Sequence, residues 1–243
     1  MMNAIKMLSL AAVLMPTLAS AAEKFEAVEV VERVEAARPG DALREIGTNR
    51  IVITKGRARI QNGLVANIYD AEASRYTVLH SKTSEWFSVD AARLRPSGVV
   101  PPAAVLGMGV DADTGNPVVP ETAFRLILRT GNRSTWQTTT PAYDGSIATM
   151  TFDETSIASW AALETLVFDV FTEASSPLRS WLRQVSKMRG YPIEVDQNGP
   201  RGELRTTVVS MRRISVSEDE FTAPSTYTET SDPNRLSGKA RHR

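Results

Sequence analysis

From residue 57 to 60 the chain reads Arg, Ala, Arg, Ile, and in residues 124–129 Phe124, Leu126 and Leu128 alternate with Arg125, Ile127 and Arg129. Successive side chains of a strand point to opposite faces, so period-two runs of this kind predict half-buried strands. The same reading predicts one strand over 50–61 and shorter ones over 64–70, 76–80 and 85–89, separated by Asp70-Ala71-Glu72 and by Ser81 to Ser84. Short runs at this spacing are what an antiparallel meander produces. After the strand at 124–129, Thr130-Gly131-Asn132-Arg133 reads as a turn, and strands follow at 134–140 and 146–152. Residues 193–196 pair with 203–213 across Asn198 to Gly202. The Val- and Glu-rich stretch 23–37 fits two readings. Val28, Val30 and Val34 keep a period of two, whereas Ala27, Val31 and Val34 fit a helix; the Val content favours the strand.

One region has helical periodicity, residues 155–188. Trp160, Leu163, Val167, Val170, Phe171 and Ala174 recur at steps of three and four, as do Leu178, Trp181, Leu182, Val185 and Met188, with Ser175-Ser176-Pro177 dividing the two runs. A helix laid on a sheet must bury one face, so this aromatic stripe reads as core before it reads as a cofactor site. Residues 96–121 break the pattern with Pro96, Pro101, Pro102, Pro117 and Pro120 and four glycines, and read as a long flap. From 228 to 243 the chain is Ser, Thr, Asp, Asn and Lys with little to bury, and a disordered tail is expected.

The N-terminus adds a compartment. Lys6, the apolar stretch 7–18 and Ala19-Ser20-Ala21 have the three parts of a secretory signal, so residues 1–21 are expected to be removed and the product to be periplasmic. The apolar stretch is shorter than the roughly 20 residues a membrane helix needs, and no second such run follows, so no transmembrane segment is predicted. Residues 22–227 then form a single domain.

Composition mainly excludes. Among 243 residues there is no cysteine, which rules out disulfides, thiolate catalysis and Cys-based zinc sites, and only two histidines. With 28 basic against 28 acidic side chains, nucleic acid is a poor partner, and an anionic lipid headgroup or a cell-wall polymer is a better one. The basic clusters Arg57-Arg59, Arg125-Arg129-Arg133 and Arg201-Arg205-Arg212-Arg213 read as solvated strand faces. A catalytic triad could use only His80, and no Gly-x-Ser-x-Gly elbow is present. Asp111 to Asn116 resembles a calcium loop without its later Glu, and Gly107-Met108-Gly109 is not followed by a helical pattern. No catalytic residue, metal site or cofactor is predicted, and the chain is not expected to be an enzyme.

Gly190-Tyr191-Pro192-Ile193 after the helical region, the Thr-, Val- and Met-bearing strand behind it, Phe221-Thr222-Ala223-Pro224, Ile68-Tyr69-Asp70 and Glu85-Trp86-Phe87 together form a pattern. It resembles a family of small exported bacterial proteins of unknown function, akin to the periplasmic lipoprotein-carrier (LolA-like) half-barrels. The resemblance implies a mainly β fold with helices (α+β), a curved antiparallel sheet covered by a helical segment and enclosing an apolar space. The large apolar groups that periodicity places around it are Phe124, Leu126, Trp136, Trp160, Phe171 and Trp181. The expected function is non-enzymatic binding of a lipid, acyl chain or other apolar ligand. The alternative is a structural or envelope-assembly protein that meets a protein partner at a sheet edge or at the flap.

Overall fold

The computed structural model describes residues 24–90, 109–110, 117–118, 123–139, 145–170 and 183–231. The chain folds into strands β1 (Lys24–Ala37), β2 (Arg44–Ile53), β3 (Arg57–Asn62), β4 (Val65–Asp70), β5 (Arg75–His80) and β6 (Glu85–Asp90). Next come β7 (Gly109–Val110), β8 (Pro117–Val118), β9 (Phe124–Thr130), β10 (Arg133–Thr138) and β11 (Ile147–Asp153). Helix α1 (Trp160–Val170), β12 (Tyr191–Gly199), β13 (Gly202–Ser217) and β14 (Thr228–Glu229) complete the order.

The protein is mainly β. Among the described residues twelve strands form one open, curved sheet in the order β14-β6-β5-β4-β3-β2-β1-β13-β12-β11-β10-β9, and β7 pairs separately with β8. All neighbours in the large sheet are antiparallel except β14 on β6. Its spine is the long pair β1–β13, in register from Lys24 opposite Ser217 to Ala37 opposite Glu203 with one shift between Val31 and Glu32. The curvature follows from contacts. In a flat sheet β4 and β9 would lie about 38 Å apart, yet α1, about 16 Å long, packs on β4 while its Trp160 meets Phe124 of β9.

Each face of the central strands has its own core. On the inner face Val30, Ile51, Tyr69, Met150 and Phe152 pack against Trp160, Leu163, Leu166 and Val167 of α1. On the outer face Ala27, Val52, Ala66, Ile68, Leu79 and Val216 are covered by Phe221, with Ala223 and Tyr227 beside it. Burial on both sides explains the ambiguity of residues 23–37: β1 is a strand whose two faces both want apolar residues, which erases the period of two.

The outer cover is held by charge. The 3-10 turn Glu218–Phe221 places Glu220 against Arg50 (2.5 Å) and its backbone carbonyl in reach of Arg59 (3.0 Å), while Glu218 meets Arg57 at 2.5 Å. Glu29, buried under the same network, accepts from Arg50 and Arg212. Burial works to raise its pKa, but these guanidinium hydrogen bonds outweigh it and hold the carboxyl below its ordinary range. Arg57 and Arg59 are therefore not a merely solvated face, because the C-terminal segment supplies their carboxylates.

Three sequence-based expectations change. The strand expected over 50–61 is two strands, β2 and β3, joined by a tight turn in which the Thr54 amide donates to the Arg57 carbonyl and the Ala71 amide to that of Gly56. Helix is sparse: of the stretch 155–188, the described residues give α1 and a single helical turn at 183–185, and residues 171–182, with the division at 175–177, lie outside them. The tail does not begin at 228, because Thr228–Glu229 adds a strand to β6 and the buried Thr230 donates its amide to the Trp86 carbonyl. Backbone pairing does this without any apolar side chain. The signal at 1–21 and the loop at 96–121, except for β7 and β8, lie outside the described residues. Among the described residues no helix is long and apolar enough to cross a membrane.

Candidate functional site

Trp160 starts α1 and is 6% exposed. Its ring lies 5.5 Å from that of Phe152 and meets the buried Phe124 edge-on, centroids 6.3 Å apart. Trp136 is half-buried against the same cluster and donates its indole N–H to Ser134 Oγ at 3.2 Å. Leu126 departs from the expected lining. It is opposite Trp136 in β10 but sits on the last strand of the sheet and is 42% exposed. A register shift beside this pair puts three residues of β9 opposite two of β10, leaving Ile127 as the extra one. Phe171 and Trp181 lie outside the described residues. Phe124 and Trp160 are core residues packed between sheet and helix, with Trp136 half-buried against them.

Polar groups are built into that interior. Glu32 of β1 accepts from Tyr191 Oη at 3.0 Å and from Asn49 Nδ2 at 3.1 Å. Burial pushes the Glu32 carboxyl up, and these two donors only partly oppose it. Glu164, on the sheet-facing side of α1, is 0% exposed. Burial raises Tyr69 and Tyr191 as well, with the nearby Glu164 charge adding to both, and pushes Tyr76 up to about 12, its hydroxyl donating to Asn67 at 2.7 Å. A carboxyl raised in the fold favours folding while protonated and loses that contribution as pH rises through its folded pKa. Replacing Glu32 by Gln is therefore expected to shift the melting-temperature difference in the variant's favour between about pH 4 and pH 7; a difference that stays constant over that window overturns the assignment.

An open volume lies at one end of the same inner face. A cleft of about 600 Å³ runs between the segment entering α1 and the ends of β1, β2 and β13. Val28 and Ile53, cross-strand neighbours, contribute to its floor, and Ile157, Ala158 and Ala162 to its wall. The wall is held by local bonds. Asp153 Oδ1 accepts from the hydroxyl and the amide of Thr155, which lower its pKa; Ser156 Oγ donates to the Ala158 carbonyl; and Ser159 caps α1 by accepting the Ala162 amide at 3.2 Å. The Trp160 amide donates to the Gly190 carbonyl, tying the helix start to β12.

Among the described residues, the charged groups lining the cleft are Glu26, Lys55 and Arg213. Lys55 comes from the β2–β3 turn, and Arg213 is paired with Val28 across β1–β13, so it emerges on the inner face. Both are exposed and neither makes an ion pair among the described residues, unlike Arg50, Arg57 and Arg59 on the opposite face. His80 is a structural residue whose Nδ1 lies 3.3 Å from the Thr83 amide in the β5–β6 turn. Among the described residues no cluster of three or more His, Cys, Asp or Glu is placed to hold a metal ion.

No family model and no curated protein matches this chain. Among solved structures it is similar to PNGF-II in two crystal forms, P21 and C2, with a TM-score of 0.42 in each and identities of 8% and 9%. The match covers 87% of this chain and 32% of that one, so the chain spans about a third of PNGF-II.

Proposed function

We propose that this chain is an exported, periplasmic, non-enzymatic binding protein that takes an acyl chain or similar apolar group into the cleft between residues 157–162 and the ends of β1, β2 and β13. In this reading the sheet is a half-barrel with its helical segment across the concave side, as the likeness to the lipoprotein carriers implies. The observation that carries it is the cleft itself, about 600 Å³ with Val28, Ile53 and Ile157 among its lining and open to solvent on the face where α1 lies. Small-molecule sites are commonly of this size, with apolar walls and a few polar groups that orient the ligand. Filling of the deeper interior by Trp160 and Phe152 moves the ligand away from the helix stripe and towards this mouth.

Titration of the exported protein with a fluorescent fatty acid is expected to saturate. Ala162 is exposed on the cleft wall, so Ala162→Trp is expected to abolish the signal without lowering the melting temperature. Absence of saturable binding to the parent protein overturns the proposal. A second reading, an envelope protein that meets a partner at a sheet edge, draws support from Leu126, Ile127 and Leu128, all exposed on the edge strand β9. Native mass spectrometry of material from the periplasm separates the two: a co-purifying apolar mass supports the first and a protein-sized partner the second.

A further inference from the structure

We infer that the ligand of this cleft is a single-chain monoanionic amphiphile, a long-chain carboxylate whose head lies between Lys55 and Arg213. The inference rests on the binding function proposed above and specifies its substrate class. The cleft has two chemistries at two places. Val28, Ile53 and Ile157 supply apolar surface, whereas Lys55 and Arg213 approach from different elements, the β2–β3 turn and β13. Neither cation is satisfied by a carboxylate of the chain among the described residues, although Arg50, Arg57 and Arg212 nearby in the sheet all are.

Charge then narrows the head group. Glu26 faces the same cleft, so among the described residues the lining carries two positive groups and one negative, a net charge of one positive. A monoanion neutralises that set. A phosphate monoester, close to a dianion at neutral pH, would leave it with an unmatched negative charge beside Glu26. An uncharged alcohol would leave that one net positive charge without a counter-charge. Arg213 can present two parallel N–H donors to a carboxylate while Lys55 adds a point charge, a division of labour that fits the two residue types.

The experiment compares laurate with dodecanol, chains of the same length with and without the charge, by calorimetric titration of the exported protein. Laurate is expected to bind at least about tenfold more tightly than dodecanol, with the preference shrinking as salt is raised. In the Lys55→Gln/Arg213→Gln double variant, laurate is expected to fall to the level of dodecanol while dodecanol itself is unmoved. Glu26→Gln is expected to tighten laurate several-fold. All three positions are exposed, so the melting temperature serves as the control that each variant folds. Equal affinity of the parent protein for laurate and dodecanol overturns the head-group assignment alone, as does a double variant that keeps the laurate preference. Failure of both ligands to bind overturns the cleft proposal on which it rests.

Discussion

Trp160→Ala is expected to destabilise the fold by about 3–5 kcal/mol, the range for removing a large aromatic side chain from a close-packed core. The indole is 6% exposed and touches Phe152 and Phe124, which come from β11 and β9, so its loss leaves a cavity lined from two strands and the helix. Antiparallel pairing holds β11 between β10 and β12 and β9 against β10, which limits how far these strands can move inward to refill it. For a domain of this size the melting temperature should drop by roughly 6–20 °C. Leu126→Ala is the matched control, because a side chain 42% exposed on the edge strand already sits largely in water, and it should be almost silent. A Trp160→Ala loss of only a degree or two would mean that the ring borders open volume, and would return the ligand site to the space under the helix.

Gly190→Ala is expected to cost about 3 kcal/mol or more, from one methyl group. Gly190 has φ 78°, where an L residue is strained, and a Cβ there would collide with the Asp153 carbonyl oxygen and the backbone of Glu154. Both obstacles are main chain and cannot rotate aside. Relief would have to displace the end of β11 from β12, where Asp153 faces Tyr191, and would pull the Gly190 carbonyl away from the first amide of α1. Gly47→Ala in β2 makes the contrast, since a Cβ there meets nothing within 4 Å and the backbone is free of positive φ. Thermal melts of the two variants should therefore diverge by many degrees. Similar melting temperatures would mean that the β11–β12 corner yields without cost.

What could be read in the sequence followed from local rules. The hairpins β3–β4, β4–β5 and β5–β6 join adjacent runs through short turns, and each side of the turn declares itself by alternation. The failures have physical causes. Thr54-Lys55-Gly56 lacks the strong turn pairs that would have divided 50–61, and its geometry depends on a bond from Thr54 Oγ1 to the Arg57 carbonyl. Glu32 and Glu164 look like solvent-facing charges in the sequence. They are inside because Tyr191 and Asn49 reach Glu32 from other strands, and because α1 turns Glu164 towards the sheet. The cleft was invisible for the same reason. Its parts come from residues 26–28, 53–55, 157–162 and 213–215, which meet only once the sheet has formed and the segment entering α1 lies on it. Arg213 was legible only as one more exposed strand cation until its pairing with Val28 gave it a side of the sheet.

The pairing of β1 with β13 also sets the order in which the molecule can be assembled. A growing chain emerges with β1 first, yet the strand that completes its ladder is almost the last to arrive, and the segment that covers Phe25, Val52, Ile68 and Trp86 comes later still. Meanders such as β2 to β6 can zip locally, but the centre of the sheet must wait for a long loop closure, which places folding in the slow, millisecond-to-second regime of topologies rich in distant contacts. During that wait both apolar faces of β1 are open to other chains. A chain released before residue 218 would keep the outer one open for good, so early termination should show itself as aggregation rather than as a smaller, soluble protein.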